Sequence, residues 1–98
     1  MYIRRVITRG VLSNQAQQDI RRRPRHIVLN LRTLIESVES EGLEEVRKLP
    51  GYHDEPLRGA RAGQRSIRLS RSYRAIYVIE GAGSLKFICV EEVNHHEY

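Results

Sequence analysis

Ninety-eight residues leave room for one domain, residues 1–98, and exclude a second lobe, because a chain this short builds only one small core. Fifteen of the seventeen cations are Arg against twelve acids, for a formal charge of +5, and planar guanidinium groups in such excess favour a phosphate-bearing partner. No window approaches the ~20 apolar residues of a membrane span and no signal-peptide core follows Met1, so the chain is expected to be soluble and cytoplasmic, with no membrane partner.

Residues 2–8 are β-prone and predict a first strand ending near Gly10. Ser13 is placed to cap a helix whose buried stripe is Leu12, Ala16 and Ile20, interrupted or restarted at Pro24. Ile27, Leu31, Leu34, Ile35 and Val38 then keep the spacing of an amphipathic helix, and Gly42 suits the left-handed residue at its end. Residues 43–49 extend this by a turn or two before Pro50-Gly51, and a polar loop runs from there to Gly63.

After that loop the apolar period becomes two. Residues 66–70 alternate, Arg71-Ser72 turn the chain, and residues 73–79 return, which pairs Ser70 with Tyr73, Leu69 with Arg74 and Ile67 with Ile76. Residues 81–84 make the next turn and residues 85–93 a third strand, so helices precede an antiparallel meander and the fold class is α+β. Cys89, within that third strand, has no partner cysteine and reads as a small core residue.

Charge is segregated in blocks. Residues 36–55 carry seven acids and two cations, whereas residues 56–79 carry six arginines and no acid. Arg21, Arg22 and Arg23 read as a solvated face, but the arginines between 58 and 74 fall in a strand pattern that holds them in fixed relation, as a phosphate site needs. If the loop, the hairpin and the C-terminus meet on the open sheet face, His53, Asp54, Glu55, Arg58, Arg68, Arg74, His95, His96, Glu97 and Tyr98 converge. Metal-free RNA cleavage needs such a set: a base for the 2′-hydroxyl proton, cations for the phosphorane and an acid for the departing 5′-oxygen. Glu or His can be the base, Arg the stabiliser and His or Tyr the acid, while a terminal Tyr can stack on a base. His95 and His96, as strand neighbours, point to opposite faces and do not share a metal, and residues 59–63 lack the Gly-Lys-Ser/Thr ending of a phosphate loop. Neither metal nor cofactor is expected.

The run Glu55-Pro56-Leu57-Arg58-Gly59, then Arg65-Ser66-Ile67-Arg68-Leu69, then Tyr73-Arg74-Ala75-Ile76-Tyr77, and finally a His/Tyr terminus resemble in that order the signature of the RelE/ParE superfamily of bacterial toxins. The resemblance is nearest to its HigB-like and YoeB-like ribonuclease members. It implies a RelE-like fold with an N-terminal strand and two helices packed on an antiparallel sheet meander. It also implies the toxin of a type II toxin–antitoxin system, an mRNA interferase that cuts messages in the ribosomal A site until a cognate antitoxin covers it. On this resemblance Glu55 is the general base, with His53 a competing base, and Arg68 and Arg74 stabilise the transition state. Arg58 contacts phosphate, and Tyr98 stacks on or orients the substrate. Glu97 stands where YoeB-like toxins carry a His, and the His-acidic-Tyr ending is nearer to HigB, which makes His96 the acid and His95 the second choice. The remaining arginines, Arg61 and Arg65 among them, are implied to contact RNA, ribosomal RNA included, through phosphates. Two rivals stay open: a ParE-like gyrase poison of the same fold, and a non-catalytic RNA-binding or antitoxin-binding module.

Overall fold

A computed structural model describes residues 6–82 and 84–95 of the chain. The element order is β1 (Ile7–Leu12), α1 (Asn14–Arg21), α2 (Arg25–Glu41), α3 (Leu43–Val46), a 3-10 turn (Pro50–Tyr52), β2 (Glu55–Pro56), a second 3-10 turn (Gly59–Arg61), β3 (Arg65–Arg68), β4 (Tyr73–Ala82) and β5 (Leu85–His95). The fold is α+β, with three helices packed on a five-stranded sheet of order β1-β5-β4-β3-β2.

The sheet is mixed rather than an antiparallel meander throughout, because β1 lies parallel to β5, with Ile7 opposite Leu85 and Leu12 opposite Val90. Residues 2–5 of the expected first strand fall outside the described residues; β1 as described runs on past Gly10 and takes Leu12 out of the helical stripe. Gly10 has another role. It does not end the strand but lets α2 approach it: a Cβ at this position would stand 2.6 Å from Ile35 Cγ2. The Gly10 amide, on the outer edge of β1, donates to Glu39 Oε2 at 2.9 Å, so α2 also blunts that edge.

Ser13 caps α1 by accepting from the Ala16 amide at 3.0 Å, and its hydroxyl donates to the Glu91 carbonyl at 2.8 Å. Glu91 is the extra residue of a bulge, since Ile76 faces Glu92 while Tyr77 faces Val90. Beyond the bulge α1 replaces β1 as the neighbour of β5: Asp19 Oδ2 accepts from the Val93 amide at 2.9 Å and Arg23 Nε donates to the Val93 carbonyl at 2.8 Å. No backbone group of Val93 is left bare, which a buried segment requires.

The apolar face of α2 buries Ile27, Leu31, Leu34 and Val38, as its spacing predicts, against Ile67, Ala75, Tyr77, Ile88, Val90 and Val93 of the sheet. Each large aliphatic side chain removed from water contributes roughly 1.5–3 kcal/mol. Gly42 ends α2 at φ 87°, a backbone that favours glycine, and α3 adds Leu43 and Val46 to the core. Cys89 departs from the expected core position. It is only partly buried, sharing with Val11 and Val78 the sheet face away from the helices. The segment read as a plain loop up to Gly63 contains both 3-10 turns and the edge strand β2, where Glu55 faces Ser66 and Pro56 faces Arg65. Proline is tolerated there because an edge strand needs no second row of donors.

Candidate active site

The hairpin joining β3 and β4 differs by one residue from the two-residue turn at Arg71-Ser72. Arg68 faces Arg74, Ile67 faces Ala75, Ser66 faces Ile76 and Arg65 faces Tyr77. The Ser70 hydroxyl sets this wider loop, accepting from the amides of Ser72 and Tyr73 at 3.2 Å each, while the Leu69 and Ser70 amides both reach the Tyr73 carbonyl. Asn30 of α2 holds the loop from behind, its Nδ2 donating to the Leu69 carbonyl at 2.8 Å. A one-residue slip reverses every side chain of a strand, so this loop decides what faces outward. Ala75 and Tyr77 belong to the helix-side core, and Ser66, Arg68, Arg74 and Ile76 therefore share the opposite face.

Two arginines directly opposite one another on one face repel, an arrangement that an intervening anion relieves. They stand at a cleft of about 100 Å³ lined also by His53, Glu55, Ser66, Ser70 and Tyr73. The Arg74 Nε–H is buried and has no hydrogen-bond partner among the described residues. Leaving such a donor unmade costs roughly 1–3 kcal/mol, so the site is prepared for an acceptor.

Opposite these cations lie Glu55 and His53, with His53 Nε2 3.9 Å from Glu55 Oε2 and both side chains more than half exposed. His53 takes φ 44° and ψ 50°, a left-handed backbone uncommon for a non-glycine residue, which turns the chain between the 3-10 turn and β2. Asp54, between them, points the other way. Its carboxylate is 2% exposed and accepts from Arg65 Nε at 2.7 Å, from Arg65 Nη2 and from the Tyr77 hydroxyl. Burial, and then the bond to Asp54, hold the Tyr77 hydroxyl well above the ordinary tyrosine range. This buried triad pins the short segment that presents His53 and Glu55 to strands β3 and β4.

The cleft thus gathers Glu55, Arg68, Arg74 and His53 among the sequence candidates. Arg65 is not presented to it but is spent on Asp54. Arg61 lies on the turn above and pairs with Glu92 at 2.9 Å, and Arg58 is exposed at the start of that turn, outside the cleft lining. His95 ends β5 opposite Tyr73, the two rings meeting edge to face with centroids 5.1 Å apart. His96 and Tyr98, the expected acid and stacking residue, lie outside the described residues. Among the described residues no three His, Cys, Asp or Glu side chains gather at metal-binding range.

Four residues escaped the sequence reading. Ser66, Ser70 and Tyr73 line the cleft, and Glu92 stands one row away on the same face, opposite Ile76. Hydrogen bonds from Arg61, then Asn94, hold the Glu92 carboxyl below its ordinary value, and the nearby Arg74 charge adds to this. The bulge at Glu91 hid Glu92 from a simple register count.

This α+β arrangement of three helices on a mixed five-stranded sheet is the fold of solved toxin structures. The YoeB/ParE toxin from Agrobacterium tumefaciens superposes with a TM-score of 0.66 at 23% identity, covering 91% of this chain and 99% of that one. YafQ from E. coli gives 0.69 at 18% identity over 89% and 91%, and the toxin–antitoxin complex RelBE2 from Mycobacterium tuberculosis gives 0.60 at 23% identity over 93% and 100%. In sequence, no protein-family model matches the chain and no curated protein is significantly similar to it.

Proposed function

We propose that this chain is the toxin of a type II toxin–antitoxin pair and acts as a metal-independent endoribonuclease on mRNA in the ribosomal A site. The observation that carries the reading is the buried Arg74 Nε, without a hydrogen-bond partner among the described residues, on the strand position paired with Arg68, at a cleft that Glu55 also lines. In this reading the scissile phosphate lies between the two arginines. Glu55, or His53 in its place, takes the proton from the 2′-hydroxyl, and the 2′-oxygen attacks its own phosphorus. Arg68 and Arg74 stabilise the doubly charged phosphorane, an effect strongest where donors are already aimed at the developing charge. The bond to the 5′-oxygen breaks as His96, or His95, gives that oxygen a proton, leaving a 2′,3′-cyclic phosphate and a free 5′-hydroxyl. Tyr98 stacks on a neighbouring base. Arg58 and the arginine-rich remainder contact phosphates of ribosomal RNA, a salt-sensitive contribution.

The proposed protein partner is a cognate antitoxin. RelBE2 is a toxin–antitoxin complex, as is the heterotetrameric YoeB–YefM complex from Staphylococcus aureus, and a cognate antitoxin with an acidic segment suits the arginine-lined face of this chain. The setting is the cytoplasm. The test is to induce the chain in bacteria and map the 5′ ends of cellular mRNA beside an Arg74→Ala control. New 5′-hydroxyl ends within reading frames, absent in the control, are the expected result. Growth arrest with messages intact would instead point to a gyrase poison.

A further inference from the structure

We propose that the groove beside the cleft is a nucleobase subsite, in which the Tyr52 ring carries the base attached to the phosphate held by Arg68 and Arg74. This rests on the reading of the cleft as an RNA phosphate site and adds to it where the rest of the nucleotide lies. The cleft encloses only about 100 Å³, room for little more than a phosphate group, and a second depression of about 510 Å³ lies beside it. Arg68 and Ser70 line both, so the two adjoin. The larger one is an open, shallow depression whose lining combines the apolar Leu49, Leu69 and Tyr52 with the polar Arg68, Ser70 and Arg71. Leu49 stands at its mouth, 52% exposed, with Leu69 and Tyr52 inside and Arg71 at the far wall.

Tyr52 is half-buried, packed against the core, and also lines the groove. Directly after it, His53 turns through its left-handed backbone, Asp54 is pinned inside, and Glu55 reaches the cleft. Consecutive residues therefore serve base and phosphate from one anchored segment. A planar ring beside apolar walls and guanidinium groups accepts any base through its π face, which makes the subsite tolerant of sequence and selective for nucleotides over bare phosphate.

The purified chain is titrated with three probes: inorganic phosphate, ribose 5-phosphate, and a dinucleoside monophosphate whose 5′ sugar lacks the 2′-hydroxyl and so cannot be cut. The dinucleotide should bind at least tenfold tighter than ribose 5-phosphate. Tyr52→Ala should abolish about that tenfold gain and Tyr52→Phe keep it, while Arg74→Ala should weaken all three probes alike. Because Tyr52 also packs on the core, Leu49→Asp supplies a second variant that puts a charge at the exposed mouth, and it should cause the same loss with an unchanged circular dichroism spectrum. Equal affinity for dinucleotide and ribose 5-phosphate, with phosphate still bound through Arg74, overturns the subsite and leaves the cleft standing. Unaltered dinucleotide affinity in both groove variants also overturns it. Failure of all three probes to bind overturns the phosphate cleft as well.

Discussion

Arg68 and Arg74 stand directly opposite one another across the β3–β4 hairpin, on the sheet face that the helices leave open. A cross-strand pair of like charges is unfavourable without a counterion, and the unmade Arg74 Nε bond adds to the cost. An oxyanion bound between the two would offset that repulsion and accept from Arg74 Nε. Inorganic phosphate at constant ionic strength should raise the thermal midpoint, the stabilisation reaching about 2.7 kcal/mol at one hundred times its Kd. Arg74→Met should lose most of that rise while changing the phosphate-free stability by no more than about 1 kcal/mol. Equal rises in both proteins would show that the anion binds elsewhere.

The Asp54–Arg65–Tyr77 triad should be worth more to stability than any pair on the surface. Asp54→Ala strips the Arg65 charge and the Tyr77 hydroxyl of their shared acceptor and should cost about 3 kcal/mol in urea denaturation. Tyr77→Phe, removing one donor, should cost about 1–2 kcal/mol. The sign with pH follows from the raised Tyr77 value: its stabilisation is present below the ordinary 10.0 and is lost as pH rises through the higher folded-state value. The wild type should thus weaken in alkali more steeply than Tyr77→Phe, and parallel curves would contradict the assigned bond.

Glu92 titrates in the opposite sense. Its folded-state value is lowered from the ordinary 4.5, first by the bond from Arg61 and then by that from Asn94, so its contribution is present above 4.5 and lost as pH falls through the lower value. Glu92→Gln should be less stable than the wild type at neutral pH and converge with it in acid. Arg61 is largely exposed, so added salt should narrow the neutral-pH gap. A gap that persists in acid would assign the effect to packing rather than charge.

Much of the frame was legible because it depends on local pattern. The Ile27-to-Val38 spacing has one helical solution, Ser13 is a capping residue with an amide in reach, and the strands after Gly63 alternate. The ordered motifs likewise brought Glu55, Arg68 and Arg74 to one cleft. What stayed hidden depends on contacts distant in sequence. The hairpin register turned on the Ser70 hydroxyl, and Glu92 depended on a bulge that Ser13 and α1 complete from the other end of the chain. Arg65 and Asp54 have the same residue types as their neighbours in the cleft, and only the buried Tyr77 hydroxyl on β4 separates anchor from site. Composition could not distinguish an arginine presented to the cleft from one that binds aspartate.

Gly10 offers the strictest test of the packing between β1 and α2. A methyl group there would lie 2.6 Å from Ile35 Cγ2, well inside contact distance, so the Ile35 side chain, the strand or the helix must shift to admit it. Overpacking of this kind costs roughly 1–3 kcal/mol, while replacing a glycine by alanine returns about 0.4–1 kcal/mol by restricting the unfolded chain. Gly10→Ala should therefore lose about 1–2 kcal/mol in urea denaturation with an unchanged denaturant slope. Ile35→Leu removes the Cγ2 methyl but keeps the side-chain volume, and it should rescue the alanine variant. The double-mutant cycle should show a favourable coupling of about 1 kcal/mol. Additive losses would mean that β1 moves away from α2 as a unit, in which case the Gly10 amide would also give up its bond to Glu39, and Glu39→Gln would lose its effect in the Gly10→Ala background.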